Sequence, residues 1–273
     1  MPRFVLLWTD AVMWAMAAAL VAYVLHAQRS PARRADWRKV FRDPAALASS
    51  VLLVLCLAVT LADSVHYRPR LAPAAGVAGA APAYDVRTIS LLDGALARLV
   101  DAREQTYSRP LAYVGFTKES VEVGGKVERV APRLQYGGAH LSDPEEQWIG
   151  DLLRRGAAGL GAGLAAAALL LAAAIAVGAR RRRIGFAPAL GAVLRGEGDM
   201  PWRVAGATVL VLGALIGAGS ALAARYHLFG TDLTGNDVLY QAIKSIRTAF
   251  VIGSLATIAT LPLAVVLGIM AGY

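Results

Sequence analysis

Residues 157–179 read AAGLGAGLAAAALLLAAAIAVGA, an apolar stretch without a single charged side chain. About 20 apolar residues in a helix cross the roughly 30 Å hydrocarbon layer of a bilayer. This stretch is long enough to span a membrane and predicts that the chain is a helical membrane protein. The four residues that follow it, Arg180 to Arg183, are typical of an anchor that stops transfer across the membrane.

Four other stretches have similar length and apolar character: Phe4–Leu25, Ala45–Val65, Val204–Ala224 and Ala249–Gly272. The sequence is 57% hydrophobic and its mean hydropathy is +0.51, which exceeds the usual composition of soluble domains. We therefore predict a mainly α, polytopic helical membrane protein with about five transmembrane helices and a small external α+β domain. The first stretch is interpreted as a retained helix, because its apolar run is longer than that of a cleaved signal peptide.

Basic residues are concentrated in two short loops between these stretches. The loop 26–44 holds six Lys and Arg residues against Asp36 and Asp43, and the loop 180–203 holds six against Glu197 and Asp199. Short loops rich in Lys and Arg stay in the cytoplasm. We predict an inner (plasma) membrane protein whose N-terminus and residues 66–155 are external and whose C-terminus is cytoplasmic. Contact with anionic membrane lipid accounts for the net charge of +9, whereas no motif indicates nucleic-acid binding.

The long segment 66–155 has the patterns of a linker and a small domain. Its Ala-, Pro- and Gly-rich part, 69–83, is typical of an extended linker. Apolar spacing predicts an amphipathic helix over 89–106, and alternation around Gly124-Gly125 predicts a β-hairpin. Residues 143–155 are predicted to form a helix that leads into the third span. The domain is expected to fold without disulfides, because Cys56 is the single cysteine.

The predicted organisation has four parts. They are 1–65, two transmembrane helices with a basic loop; 66–155, the external linker and domain; 156–203, a transmembrane helix with a basic loop; and 204–273, two transmembrane helices joined by an interfacial segment. Pairs of glycines four residues apart, at 159/163, 213/217 and 268/272, would allow helices to approach closely. A packed helical bundle is therefore expected.

The sequence has no residue pattern of a catalytic or metal site. Its histidines, His26, His66, His140 and His227, are spread singly along the chain. Its single Gly-Lys pair, at 125–126, lacks the other residues of a phosphate-binding loop. We therefore predict that the chain is not an enzyme and has no cofactor.

Residues 227–239 read HLFGTDLTGNDVL, and an amphipathic run and a Gly-punctuated apolar stretch ending in Ala-Gly-Tyr follow them. This pattern resembles the permease subunits of ATP-driven (ABC) importers of the dipeptide, oligopeptide and nickel type. The matching positions are His227, Gly230, Thr231, Asp232, Gly235, Asp237, Val238, Leu239, Arg247, Gly253, Gly268, Gly272 and Tyr273. The chain departs from the family pattern at Leu228, where Pro is usual, and at Asn236, where Arg is usual.

The resemblance implies a transport subunit that imports peptides or similar small solutes, with ATP hydrolysis on separate subunits. It implies a second permease subunit, two ATPase subunits and an external substrate-binding protein as partners. In the family this segment lies at the external mouth, and we expect a gate or docking motif there. Its residues are Gly230, Thr231, Asp232, Thr234, Gly235, Asn236, Asp237 and Arg247. Family members continue beyond Ala-Gly-Tyr with further spans and an ATPase-coupling loop, so the sequence is expected to be the N-terminal portion of a permease or one part of a split permease.

The chemistry of the motif adds two local expectations and leaves alternatives open. The spacing of Thr234 and Asp237 predicts a capping box that starts a short interfacial helix, 238–247. An alternative for the interfacial helix is a connector with no recognition role. Pro262 is a candidate bend in the fifth span, and a passive proline is at least as compatible with the sequence. A different interpretation of the whole chain is a membrane-anchored sensor or scaffold whose external domain binds a ligand or partner. The sequence does not specify the transported substrate.

Overall fold

The computed structural model of the chain describes residues 3–71, 83–123 and 126–272, and these are mainly helical. The helices are α1 (Trp8–Arg29), α2 (Pro31–Phe41), α3 (Pro44–Asp63), α4 (Leu91–Ala95), α5 (Ala97–Asp101), α6 (Pro144–Arg182), α7 (Phe186–Arg195), α8 (Trp202–Ala223) and α9 (Val238–Gly272). The strands are β1 (Arg3–Val5), β2 (His66–Arg68), β3 (Ile89–Ser90), β4 (Glu119–Val123) and β5 (Lys126–Val130).

Five of these helices, α1, α3, α6, α8 and α9, are long and apolar enough to cross a membrane. This confirms the prediction of a mainly helical chain with about five apolar spans. A helix is a suitable spanning element because it satisfies its own backbone hydrogen bonds, which lipid cannot do. The small sheet part predicted beside the helices is also present.

The first span begins later than predicted, because residues 4 and 5 belong to β1. This strand pairs antiparallel with β2, which in turn pairs with β3, so the sheet has the order β1-β2-β3. Helix α1 then begins at Trp8. The backbone N–H of Leu7 donates to Asp10 Oδ2 at 3.1 Å, so the aspartate satisfies a donor beside the start of the helix.

The continuous helix predicted over 89–106 is wrong. Residues 89–90 form β3, and Ser90 then caps α4 in a capping box with Asp93. Leu96 leaves the helical conformation (φ −102°, ψ 17°) and separates α4 from α5. After α5 the chain becomes non-helical, and the N–H of Glu104 donates to the carbonyl oxygen of Gly235 instead of a helical acceptor. Long-range hydrogen bonding has overridden the local apolar spacing.

The remaining elements of the segment 66–155 agree with the sequence patterns. Strands β4 and β5 pair antiparallel, with Val123 opposite Lys126, as the hairpin prediction required. Its turn, Gly124-Gly125, lies outside the described residues, as do residues 72–82 of the predicted linker. Helix α6 begins at Pro144 and continues to Arg182, so the predicted helix before the third span is part of that span's helix.

Helices α6 and α8 pack through glycines that the sequence pattern had indicated. A Cβ atom on Gly163 would lie 2.1 Å from the carbonyl oxygen of Gly213, and one on Gly217 would lie 2.3 Å from that of Gly159. The backbones are therefore in direct contact, as small-residue spacing permits. A Cβ atom added to Gly268 or Gly272 would meet no atom within 4 Å in the described part of the chain, so the third glycine pair makes no such contact there.

Contacts divide the chain into two compact units. The first unit comprises Met1–His26, Val54–Ala97 and Tyr240–Tyr273, and it contains the three-stranded sheet. The second comprises Ala27–Leu53 and Arg98–Leu239, and it contains the α6–α8 pair. Within the second unit Arg42 Nη2 lies 3.2 Å from Asp199 Oδ2, so the two basic loops meet.

Replacing Gly163 with alanine should destabilise the protein by about 1–3 kcal/mol, because the new methyl group overlaps the Gly213 carbonyl. Gly161→Ala is the matched control on the same helix, since no atom lies within 4 Å of its Cβ position. Alanine is the better helix former, so this control should be neutral or stabilising. Thermal unfolding of the detergent-purified chain measures both effects, and equal melting temperatures for the two variants would contradict the packing.

Candidate functional site

The motif 227–239 forms a compact turn that is bonded to residues 104–108. His227 lies at its centre with 3% of its surface exposed. Its Nδ1 is 2.7 Å from Asp237 Oδ2, and its Nε2 is 3.2 Å from Glu104 Oε1. The imidazole therefore bridges the two ends of the motif and a residue 123 positions away in the chain. We call this group of three side chains the His227 bridge.

Glu104 is held in its ionised form by backbone donors. The N–H groups of Gln135, Tyr136 and Gly137 donate to its carboxylate at 2.8, 2.8 and 3.0 Å. Burial alone raises the pKa of this carboxyl, but the bonds from His227 and the three N–H groups lower it from 4.5 to about 2. A carboxylate is therefore maintained inside the protein at neutral pH.

The two carboxylates keep His227 charged. Burial alone lowers the pKa of the imidazole, but the hydrogen bonds and negative charges of Asp237 and Glu104 raise it from 6.5 to about 9. At neutral pH both ring nitrogens carry a proton, and each donates to a carboxylate. His227 consequently acts as a structural cation and has no nitrogen left to act as a base.

Two glycines of the motif are required by the shape of the turn. Gly230 and Gly235 have φ values of +76° and +80°, which residues with a side chain rarely adopt. A Cβ atom at Gly230 would lie 2.2 Å from the carbonyl oxygen of Ser108, and one at Gly235 would lie 1.8 Å from that of Glu104. The motif backbone thus approaches residues 104–108 too closely for any other residue type at these two positions.

Thr231 fastens the middle of the turn. It is fully buried, and its Oγ1 lies 2.9 Å from both the carbonyl oxygen of Thr106 and Ser108 Oγ. Its backbone N–H donates to the carbonyl oxygen of Ser108 at 3.3 Å. A buried hydroxyl needs such partners, so this contact fixes the register between the motif and residues 106–108.

Asp232, Thr234 and Asn236 form a local turn at the outer edge of the motif. Asp232 Oδ1 accepts from the backbone N–H groups of Thr234 and Asn236 at 2.8 and 2.9 Å, and from Thr234 Oγ1 at 2.7 Å. Asn236 Nδ2 donates to Thr234 Oγ1 at 2.6 Å. The predicted capping box led by Thr234 is therefore wrong, because its hydroxyl is bonded within this turn.

Asp237 caps α9. It precedes Val238, and its Oδ1 accepts from the N–H of Leu239 at 2.8 Å while its Oδ2 holds His227. The short separate helix predicted over 238–247 is also wrong, since α9 continues without a break to Gly272. Apolar character persists beyond Arg247, and no residue there ends the helix. Pro262 lies within α9, which passes through it unbroken.

Arg247 does not join the His227 bridge and belongs to a cluster of charges in the first unit. Its Nη2 lies 2.6 Å from Asp10 Oδ1, and its Nη1 lies 3.5 Å from Asp63 Oδ2. His66 Nδ1 lies 2.8 Å from Asp10 Oδ2 on the other side. Asp10 and Asp63 are 0% and 2% exposed, so these carboxylates depend on the cluster for compensation.

Lys244 extends this cluster by one turn of α9. Its Nζ lies 2.7 Å from Asp93 Oδ1 and 3.4 Å from Asp63 Oδ1. The hydroxyl of Tyr240 donates to Asp93 at 2.8 Å, and that of Ser90 donates to Asp63 at 2.7 Å. Three carboxylates thus meet the cations of α9 here, and we call this group the α9 charge cluster.

A third group braces the start of α6 within the second unit. Asp151 is bonded by His140, Arg155 and the hydroxyl of Tyr226, at 2.7, 2.7 and 2.9 Å. Burial and the bond to Asp151 raise the pKa of Tyr226 to about 12. His140 is therefore a hydrogen-bonded structural histidine. No group of His, Cys, Asp and Glu in the described ranges could hold a metal ion.

Sequence reasoning missed several of these residues, and for some a signal existed. Glu104 had none, because its partners are set by the fold. Asp10 and Asp63 were visible as ionisable residues in or beside apolar spans, a position that by itself predicts a paired and important group. Lys244 lies in the segment predicted as a short interfacial helix, and no local pattern indicated its carboxylate partners.

The comparisons with known proteins assign no relative. No protein-family model, curated protein or solved structure matches this chain. The functional argument therefore depends on the motif residues and on the geometry around them.

The His227 bridge predicts a particular pH dependence of stability. The pKa of His227 is raised from 6.5 to about 9 on folding, so its contribution is complete below pH 6.5 and disappears as the pH rises through about 9. The pKa of Glu104 is lowered from 4.5 to about 2, so its contribution is complete above pH 4.5 and is lost as the pH falls towards 2. We expect the melting temperature of wild type to exceed that of His227→Gln most between pH 4.5 and 6.5, and to approach it above pH 9. The exposed His26, changed to Gln, is the control, and an equal pH profile for both variants would contradict the bridge.

The α9 charge cluster predicts a large cost for removing one partner. Arg247→Met leaves Asp10 and Asp63 without their guanidinium, which should destabilise the chain by about 3–5 kcal/mol. Asp10→Asn combined with Arg247→Met should cost less than the sum of the two single changes. Lys39→Met removes an exposed ion pair with Asp36 and should cost only about 0–1 kcal/mol. The measurement is a double-mutant cycle by thermal unfolding, and an Arg247→Met effect no larger than that of Lys39→Met would refute a compensating role.

Proposed function

We propose that the chain functions as a transmembrane permease subunit of an ATP-driven importer for peptides or similar small solutes. The observation that carries the proposal is the motif turn. Its family-like residues His227, Gly230, Thr231, Gly235 and Asp237 each have a defined physical task in one buried joint.

The joint suits a subunit that passes an external signal into a membrane helix. Residues 104–108 of the external segment are bonded directly to the turn, and Asp237 at the end of the turn caps α9. Helix α9 then continues for 35 residues of mainly apolar sequence. A displacement of the external segment would therefore move the start of α9 without an intervening flexible connector.

The motif residues divide into two roles in this proposal. His227, Thr231 and Asp237 are at most 3% exposed and act as positioning residues for α9. Leu233 and Phe229 are 85% and 52% exposed on the same turn, and they provide the surface for the external substrate-binding protein. Large exposed apolar side chains of this kind are typical of interaction sites. Gate and docking functions thus fall on different residues of the motif.

The other components follow from the same proposal. A second permease subunit completes the pathway, and two ATPase subunits supply ATP hydrolysis. The proposed location is the inner (plasma) membrane, with the N-terminus and residues 66–155 external and the C-terminal end of α9 cytoplasmic. The contact between Arg42 and Asp199 supports this topology by bringing the two basic loops together.

Deleting the gene in the organism that encodes the chain should abolish or strongly reduce uptake of labelled di- and oligopeptides, and the wild-type gene should restore it. Complementation with Leu233→Arg should leave membrane abundance normal and reduce uptake, because a charge is placed on the proposed docking surface. Val86→Arg, at a residue 88% exposed in the external segment, is the matched control and should transport normally.

Cross-linked membranes of the complemented strain provide the second measurement. The affinity-tagged chain should recover ATP-binding subunits and an external binding protein, and Leu233→Arg should lose the binding protein alone. Unchanged uptake after deletion, with the tagged chain recovering no ATP-binding subunit, would reject the transport proposal. A lost response to an external ligand with normal uptake would instead favour a membrane-anchored sensor or scaffold.

A further inference from the structure

The two basic loops of the second unit contain helices α2 and α7 and are joined by the Arg42–Asp199 ion pair. We call residues 29–43 and 180–203 the basic platform. Three of its acidic residues pair with cations of the platform: Asp36 with Lys39 at 3.8 Å, Glu197 with Arg195, and Asp199 with Arg42. Asp43 accepts a hydrogen bond from the N–H of Ala45 at 3.0 Å. Of the platform's four acidic groups, only Asp43 lies outside an ion pair among the described residues, and it offsets one of the remaining cations.

The remaining basic side chains are exposed. Within the described part of the chain, none of them forms an ion pair with a carboxylate: Arg29, Arg33, Arg34, Arg38, Arg180, Arg181, Arg182, Arg183 and Arg203. So many cations on a small surface repel one another, and an anionic surface would relieve this repulsion. The platform therefore has the charge of a site for a negatively charged partner.

Helix α2 carries an aromatic and apolar face among these cations. It buries none of its residues, although Trp37 and Val40 are 40% and 49% exposed, and Trp37 stacks on Phe41 with ring centroids 5.7 Å apart. Positions 37, 40 and 41 share one face of the helix. Arg33 and Arg34 lie one turn earlier on the flanks of this face, where their apolar stems can lie on hydrocarbon while their charges reach headgroups.

Helix α7 repeats this arrangement in the other loop. Phe186, Leu190, Val193 and Leu194 have the spacing of a single apolar stripe, and Phe186 and Leu194 are 44% and 64% exposed. Arginines precede the helix at 180–183, and Arg195 is its last residue. An apolar stripe bordered by cations is typical of helices that lie in the interface of a membrane.

We propose that the basic platform docks on anionic lipid headgroups, with the apolar faces of α2 and α7 inserted at the headgroup boundary. A bilayer is the occupant that the chain itself brings within reach, because α2 is separated from α1 and α3 by one and two residues. Helix α7 likewise lies between α6 and α8. The inference depends on membrane insertion of these apolar helices, which is part of the proposed function, and it holds whether or not the chain transports peptides.

The test uses the full chain in nanodiscs, which expose both membrane faces, with Cys56→Ala removing the native cysteine. Spin labels at Val40→Cys and Leu194→Cys should be shielded from a water-soluble relaxation agent when the lipid contains phosphatidylglycerol. They should be less shielded in phosphatidylcholine alone. Ala35→Cys, on the opposite face of α2, should be accessible in both lipids. A label at Leu261→Cys, in the middle of α9, reports insertion separately, so failed insertion is distinguished from failed docking.

Changing Arg33, Arg34 and Arg38 together to Gln should lower the docking equilibrium constant by roughly 100-fold and abolish the lipid dependence. Arg70, Arg87 and Arg129, changed together to Gln, remove the same charge outside the platform and should have no effect. Water-accessible labels at positions 40 and 194 in phosphatidylglycerol, with a buried label at 261, would overturn the proposal. So would shielding that is independent of lipid charge, or shielding found only in native membranes, which would indicate a protein partner.

Discussion

The α9 charge cluster is the interaction on which the first unit depends. Asp10 and Asp63 are almost completely buried, and an uncompensated charge in such a position costs several kcal/mol. Arg247 and Lys244 provide the opposite charges. Their ion pairs hold this part of α9 in one arrangement against α1, α3 and α4. The sheet strengthens the same arrangement, because His66 in β2 also binds Asp10. Charge pairing and backbone pairing therefore select the same neighbours.

Compensation of buried carboxylates also organises the second unit, where an imidazole and backbone N–H groups are the donors. His227 forms a hydrogen bond with each of two carboxylates, Asp237 and Glu104. Three backbone N–H groups donate the other hydrogen bonds to Glu104. Hydrogen bonds thus join residues 104–108 to the loop after α8. Joints of this kind are directional, and they fix a register in a way that apolar packing alone does not. This property is useful at a place where the proposed transport function requires an external event to reach a membrane helix.

The motif has a more structural character than its sequence suggested. Most side chains of the predicted gate or docking motif form hydrogen bonds inside the turn. Only the outer edge of the turn is exposed and available for a partner. Arg247 performs a different task, since it compensates aspartates in the first unit. The basic platform adds a separate contribution, because its cations face outward while three of its acidic residues form ion pairs within it.

The sequence by itself determined the apolar helices, the β4–β5 hairpin and the glycine positions of the α6–α8 contact. These features depend on local composition, since a helix in lipid satisfies its own backbone and a hairpin pairs adjacent residues. Only the tertiary structure decided the start of α1, the break at Leu96 and the uninterrupted course of α9. It also decided which charges meet, because Glu104 and His227 are 123 residues apart and Asp10 and Arg247 are 237 apart. No local pattern encodes such partners, since the free energy of burying a charge depends on the opposite charge that the whole fold brings to it.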